Sequence, residues 1–285
     1  MKRIIWLASY PKSGNTWMRA FLTSLLKGEN GNTINNLVAP VASQRSIIED
    51  YLMLETSELT NDEVERYMPW ALKSFADEQD TVPYYMKVHD AYTLTSENIP
   101  LFPADASIGA IYIVRNPLDV VPSFAHHNSD TIENTIRILK NSKYSFCDNP
   151  KTIKTQVRQK LLSWKEHVLS WLEQADMPVL LIRYEDMFTT PLDTFRQVVA
   201  FSGLEATDEM ILEAVKNVSF ENLKMQEQQF GFSNKKPGAK SFFRKGKIGS
   251  WRESLTDEQA KEIIAGHKTI MARLGYLDSA GNPVY

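Results

Sequence analysis

Short runs of uninterrupted apolar residues alternate along the chain with longer stretches in which apolar positions recur every three or four residues. Four runs, at residues 4–8, 84–88, 110–114 and 179–182, are apolar at nearly every position instead of every second one. That pattern predicts strands buried on both faces of a parallel sheet. After the first run, Trp17, Ala20, Phe21, Ser24 and Leu25 fall at helical spacing, and Gly28 and Gly31 close the segment. After the third, Asn116 suits a helix N-cap, Pro117 the first helical position and Asp119 the first turn, so a second helix starts at the strand's end. Val157, Leu161, Trp164, Val168, Trp171 and Leu172 form a long apolar stripe with both tryptophans in the core, and Pro178 leads out into the fourth strand.

Downstream, Phe195, Val198, Val199 and Ser202 mark one helix, and Thr207 with Asp208 and Glu209 opens another. Thr256 and Gln259 make a capping box for the last helix, which buries Ile263, Ile264, Ile270 and Leu274 and carries His267 as a satisfied structural histidine. The alternation runs from end to end without repeat or linker. It predicts one α/β domain over residues 1–285.

At 285 residues and 43% hydrophobic content the chain can fill a sizeable core. Its net charge of −3 offers no general attraction to nucleic acid or to an anionic membrane. Locally the balance reverses: Lys235, Lys236, Lys240, Arg244, Lys245 and Lys247 occur together with no acid among them. Such a segment on an acidic body suits a small polyanion, a solvated lysine-rich loop being the plain alternative. Cys147 is the only cysteine, which excludes an internal disulfide and any cysteine-based zinc cluster and reads as an inert thiol in a reducing compartment. The start faintly resembles a signal peptide, but Tyr10-Pro11-Lys12 interrupts it. With no apolar stretch of about 18 residues, nothing spans a membrane, and the cytoplasm follows by elimination.

Ser9-Tyr10-Pro11-Lys12-Ser13-Gly14-Asn15-Thr16-Trp17 joins the first strand to its helix. Its small residues let backbone N–H groups approach an anion at the helix N-terminus, Lys12 adds a full charge, and Ser13, Asn15 and Thr16 add side-chain donors. A phosphate or sulfate fits there. The lysine precedes the glycine and no paired glycines flank it, which departs from the nucleoside triphosphate loop, and no strand-end aspartate stands ready for magnesium.

The segment from Tyr10 to Trp17 resembles the 5′-phosphosulfate loop of the cytosolic-type sulfotransferases. Further segments, in the family's order from residue 3 to about residue 252, resemble its other signatures. Val114-Arg115-Asn116-Pro117-Leu118-Asp119-Val120-Val121-Pro122-Ser123 is similar to the 3′-phosphate motif, which implies Arg115 and Ser123 as ligands of that phosphate. Phe242-Phe243-Arg244-Lys245-Gly246-Lys247 resembles the flexible basic flap (about residues 233–252) that closes over it, implying Arg244, Lys245 and Gly246. Tyr184-Glu185-Asp186-Met187 and Val218-Ser219-Phe220 resemble the adenine-side stretches, implying Tyr184, Ser219 and Phe220, with Trp17 stacking on the ring. Tyr85-Met86-Lys87-Val88-His89 resembles the family's Lys-Thr-His segment, which implies His89 as general base with Lys87 beside it.

The resemblance implies a P-loop-NTPase-like parallel β-sheet with helices on both faces. It implies in-line transfer of a sulfuryl group from 3′-phosphoadenosine 5′-phosphosulfate (PAPS) to an acceptor hydroxyl or amine, with no metal. Lys12 then stabilises the leaving nucleotide, and Ser123 engages Lys12 until acceptor arrives. Ser250, Arg252 and Glu253 depart from the family's pattern where its short dimer motif begins, so no dimer is inferred. Residues 29–82 are the variable, acceptor-side segment, where Tyr51, Met53, Tyr67, Met68 and Trp70 either line a small-molecule pocket or pack. His126 and His127 are adjacent on a helix and receive no role. Two other readings remain, a small-molecule kinase that would need ATP and magnesium, and a binding protein that holds nucleotide without turnover.

Overall fold

The computed structural model describes residues 2–28, 34–149, 151–233, 241–243 and 245–285. Gly31, Lys235, Lys236, Lys240 and Arg244 lie outside the described residues. In chain order the elements are β1 (Ile4–Ser9), α1 (Asn15–Lys27), α2 (Arg45–Leu52), α3 (Asn61–Asp77), β2 (Tyr84–Val88), β3 (Ser107–Val114), α4 (Pro117–Asn128) and α5 (Ile132–Lys140). There follow β4 (Ser145–Phe146), β5 (Gln159–Lys160), α6 (Trp164–Leu172), β6 (Val179–Arg183), α7 (Tyr184–Thr189), α8 (Pro191–Phe201), α9 (Asp208–Asn217), α10 (Phe220–Phe230) and α11 (Asp257–Arg273).

The four apolar runs become one parallel sheet in the order β2-β1-β3-β6. Alternate residues of β1 enter different cores. Ile4, Trp6 and Ala8 pack with α3, α4, α6 and α11 on one face, while Ile5 and Leu7 pack with α1, α8 and α9 on the other. This two-sided burial is why the strands read as continuous apolar runs. From β1 the chain crosses to β2 on one side and then to β3 on the other, so the crevice at the strands' C-terminal ends opens beside β1.

The predicted start of α4 is observed: the Asn116 side chain accepts from Leu118 N, and Pro117 is the first helical residue. The capping box of Thr256 and Gln259 likewise starts α11. The stripe from Val157 to Leu172 is not one helix. Gln159–Lys160 pairs antiparallel with Ser145–Phe146, Leu162 has φ 58°, and a capping box of Ser163 with Glu166 starts α6 at Trp164. The spacing of Val157 and Leu161 mimicked a helical turn, but the cap at Ser163 decides where helix begins.

His267 is also corrected. It is buried against Trp164, with ring centroids 5.3 Å apart, but neither ring nitrogen has a hydrogen-bond partner among the described residues. Burial pushes its pKa down to about 4, so the ring packs as a neutral aromatic. Among the described residues, no helix is long and apolar enough to cross a membrane.

Candidate active site

Each of the four parallel strands delivers chemistry at its C-terminal end to one cavity of about 770 Å³. β1 leads into the loop carrying Lys12 and Gly14, β2 into His89, β3 into Arg115 and β6 into Tyr184.

The loop after β1 turns on two residues with positive φ, Lys12 at 70° and Gly14 at 107°. At Gly14 a Cβ would sit 2.6 Å from the Tyr184 ring and 3.1 Å from Met187, so only glycine lets the loop pass under α7. The first N–H groups of α1, at Asn15 and Thr16, have no intrahelical acceptor by geometry, which leaves them for an anion at the cavity floor. Thr16 and Trp17 line the wall. Two expected side-chain donors are spent elsewhere or shut away. The Asn15 amide donates to Leu7 O at 2.8 Å and Ser9 Oγ at 3.2 Å, and so ties the loop to β1. Ser13 is fully buried, its hydroxyl unpartnered among the described residues, and it does not line the cavity.

Arg115 is held through its two terminal nitrogens, while Nε has no partner among the described residues. One nitrogen donates to Lys12 O (3.3 Å) and another to Lys247 O (3.1 Å), and its guanidinium lies 4.2 Å over the Tyr184 ring. It also faces Asp119 at 3.8 Å. Asp119, which sequence reasoning placed only as a first-turn acid, accepts from Gly249 N (2.8 Å), Trp251 N (2.9 Å) and Ser250 Oγ (3.2 Å). It thereby fastens the far end of the basic segment beside Arg115. Asp119, Ser123 and His127 follow at intervals of four on one face of α4, and His127 lines the cavity. Ser123 is half-buried and does not itself line it. His126 is exposed.

At the adenine-side positions Trp17, Tyr184 and Phe220 line the cavity together with Phe188, Val218 and Leu223. Trp17 packs 4.6 Å from Phe188 and 5.9 Å from Tyr184, ring to ring. Ser219 is instead the N-cap of α10, its hydroxyl accepting from Asn222 N at 3.3 Å, and does not line the cavity. Gly246 does, at φ 56°, with the Phe220 ring where a Cβ would stand, at 2.1 Å. Lys245 pairs outward with Glu253 at 2.8 Å, and Arg244 lies outside the described residues.

His89 Nδ1 lies 2.8 Å from Ser9 O, and a carbonyl only accepts, so Nδ1 carries the proton and Nε2 is the basic nitrogen. Behind it, His167 Nε2 donates to His89 O at 3.0 Å while its Nδ1 accepts from Tyr112 Oη at 2.8 Å, and Trp171 Nε1 donates to Asp90 O at 3.0 Å. Burial, then the Lys87 charge, holds the His89 pKa well below the usual imidazole value. Burial, with the charges of Arg19 and Lys12, brings Lys87 down to about 7. Neutral imidazole is therefore the resting form at neutral pH.

The five side chains singled out in residues 29–82, left open between lining and packing, do not line the remaining wall. Of the five side chains singled out there, Met68 is core, Tyr51 packs on Phe75 and donates to Glu78 at 2.7 Å, and Met53, Tyr67 and Trp70 are exposed. From that segment only Val41 reaches the cavity among the described residues. The wall comes from the β4–β5 region, through Phe146, Cys147, Lys154, Thr155, Gln156 and Gln159. Cys147, expected to be inert, is part of it. No sequence signal marked this region, because its strands are two residues long.

The sequence profile described as "Sulfotransferase domain" matches residues 2–275. Cytosolic sulfotransferase 13 of Arabidopsis thaliana is 26% identical over 90% of this chain and 73% of its own length, and sulfotransferase 1A1 of Mus musculus is 25% identical over 93% and 83%. Among solved structures, a retinol dehydratase in complex with androsterone and inactive cofactor PAP has TM-score 0.63 at 20% identity, covering 94% of this chain and 80% of that one. A mouse sulfotransferase complexed with PAP has TM-score 0.59 at 20% identity, covering 99% and 87%. The fold is theirs, and the match spans nearly all of the sequence. The chain belongs to the sulfotransferase family and is a PAPS-dependent sulfotransferase.

Proposed function

We propose that His89 is the general base and Lys12 the group that meets charge on the departing nucleotide, in one in-line displacement. His89 Nε2 takes the proton of the acceptor hydroxyl, whose oxygen forms the new bond to sulfur. The bond from sulfur to the bridging phosphate oxygen breaks, and its electron pair leaves with 3′-phosphoadenosine 5′-phosphate (PAP). In this reading Lys12 neutralises that oxygen and Lys87 adds positive charge beside the sulfuryl oxygens. The observation that carries this reading is the His89 Nδ1 to Ser9 O bond, which leaves Nε2 as the basic nitrogen of a residue that lines the same cavity as Lys12.

For the nucleotide, the loop's N–H groups with Thr16 take the 5′ end, Arg115 with Ser123 and the basic segment take the 3′-phosphate, and Trp17, Tyr184 and Phe220 take adenine. Supporting Ser123 is its place on the α4 face that also carries Asp119 and His127. The acceptor is read as a hydroxyl. Lys12, Lys87 and Lys154 line the cavity, and no aspartate or glutamate does among the described residues, so no carboxylate of the chain draws a protonated amine toward His89. The wall of Gln156, Gln159 and Thr155 suits a small molecule with hydrogen-bonding groups near that hydroxyl. The single free thiol and the names of its cytosolic relatives support a cytoplasmic setting.

Calorimetric titration with PAP, repeated with ATP plus magnesium, tests the donor site. PAP should bind at micromolar affinity or better and ATP should not compete. Preference for ATP would return the chain to kinase chemistry. Labelled transfer from PAPS to hydroxyl and amine acceptors at neutral pH should favour the hydroxyls.

A further inference from the structure

His89 stands one residue past the end of β2, where Val88 is the last to pair with β1. Backbone groups beyond that point have left the ladder and need other partners. One face of α6 supplies three of them. His167, Ser170 and Trp171 fall at i, i+3 and i+4. His167 Nε2 donates to His89 O at 3.0 Å, Trp171 Nε1 donates to Asp90 O at 3.0 Å, and Ser170 Oγ accepts from Tyr92 N at 3.0 Å. The segment that carries His89 is therefore held by side chains of a single helix face, and the first of those bonds falls on His89 itself.

His167 is fixed in turn. Its ring is fully buried and meets Tyr10 edge-on, with centroids 5.3 Å apart. Because a carbonyl only accepts, Nε2 carries the proton, and Nδ1 is left to accept from Tyr112 Oη at 2.8 Å. Tyr112 lies on β3 and is itself fully buried. Burial brings the His167 pKa down to about 4, so the ring is neutral, the one form that donates at one nitrogen and accepts at the other. His89 is thus held twice, by its ring to Ser9 at the end of β1 and by its carbonyl to His167, which stands on β3 through Tyr112. No atom of His167 lines the cavity.

We propose that His167 is a positioning residue, which through the His89 carbonyl sets the direction of His89 Nε2, with Tyr112 holding His167 in its donating tautomer. This rests on His89 as the general base. His167→Phe keeps an aromatic ring between Tyr10 and Tyr112 but has no donor, whereas His167→Gln loses the ring and keeps an N–H. In steady-state kinetics with PAPS and para-nitrophenol, His167→Phe should lower kcat on the order of 10- to 10²-fold with both KM values and PAP affinity nearly unchanged. His167→Gln should recover most of that loss, and Tyr112→Phe should show a smaller one. A pure packing role gives the opposite order, with Phe tolerated and Gln not. In the His89→Ala background His167→Phe should lower kcat no further, because the imidazole it directs is gone. The same loss in both backgrounds, the packing order, or no loss in any variant would overturn the positioning role and leave His89 as base. An unimpaired His89→Ala enzyme would overturn the base and the positioning role together. The imidazole nitrogen NMR spectrum of the parent, which needs no acceptor, should show His167 as the Nε2–H tautomer, and the Nδ1–H tautomer would overturn the proposal whatever the kinetics.

Discussion

The two ends of the cavity are built differently. The proposed nucleotide end is assembled from strand termini: the loop after β1, Arg115 after β3 and Tyr184 after β6, joined by Phe220 and Leu223 of α10. Each of these is short, local and tied to the sheet by backbone register, and Gly14 and Gly246 admit aromatic rings where any Cβ would collide. The proposed acceptor end is a wall of irregular chain. Residues 146–147 and 154–159 hang on a two-residue antiparallel ladder, braced from outside by Glu65 of α3, which pairs with Arg158 and Lys160. A sheet edge fixes atoms for a cosubstrate that does not change, whereas a loop wall can vary its side chains without disturbing the fold. His89 stands at the boundary, anchored to β1 on one side and to α6 through His167 on the other.

If that division holds, substitutions should separate donor from acceptor behaviour. The largest effect belongs to His89→Ala, for which kcat should fall on the order of 10²- to 10⁴-fold with PAP affinity nearly intact by calorimetry. An unimpaired variant would remove His89 from the reaction. Lys12→Ala should lower kcat on the order of 10²-fold, more than it weakens PAP, because its charge is needed most in the transition state. Arg115→Ala should cost about 1.5–3 kcal/mol in PAP affinity and little for adenosine 5′-phosphate. Similar losses for both would deny it the 3′-phosphate.

The pH dependence of kcat/KM sharpens the boundary itself. Because the His89 pKa is lowered, its basic form persists below the usual imidazole range, and the acid limb should lie below about pH 6.5. Lys87, brought down to about 7, loses its charge as pH rises through that value, so activity should decline on the alkaline side. Lys87→Arg should carry that limb upward. The smallest effect is reserved for the loop wall. Gln159 is 1% exposed, donates to Gln156 at 2.8 Å, and its own carbonyl is unpartnered among the described residues. Gln159→Leu should change acceptor KM by less than about tenfold and leave PAP binding alone. A loss of PAP affinity in that variant would break the separation.

Local chemistry carried much of this molecule in the sequence. Two-sided burial made the four strands legible as apolar runs, and Asn116-Pro117 and Thr256 with Gln259 announced helix starts because a cap is a contact between near neighbours. The loop after β1 and Arg115 were legible as neighbours of the cavity because each directly follows a strand end, whereas Ser123 and Ser13 of the same motifs do not line it. Tertiary structure alone decided the rest. That Asn15 faces β1, that Ser219 caps α10, that His167 supports His89 and that Asp119 holds Gly249 and Trp251 all depend on partners from 6 to 132 positions away or on which way a side chain turns. The acceptor wall was least legible of all. Its residues share no periodicity and meet only because β4 and β5 pair, so nothing in their order along the chain marks them as one surface.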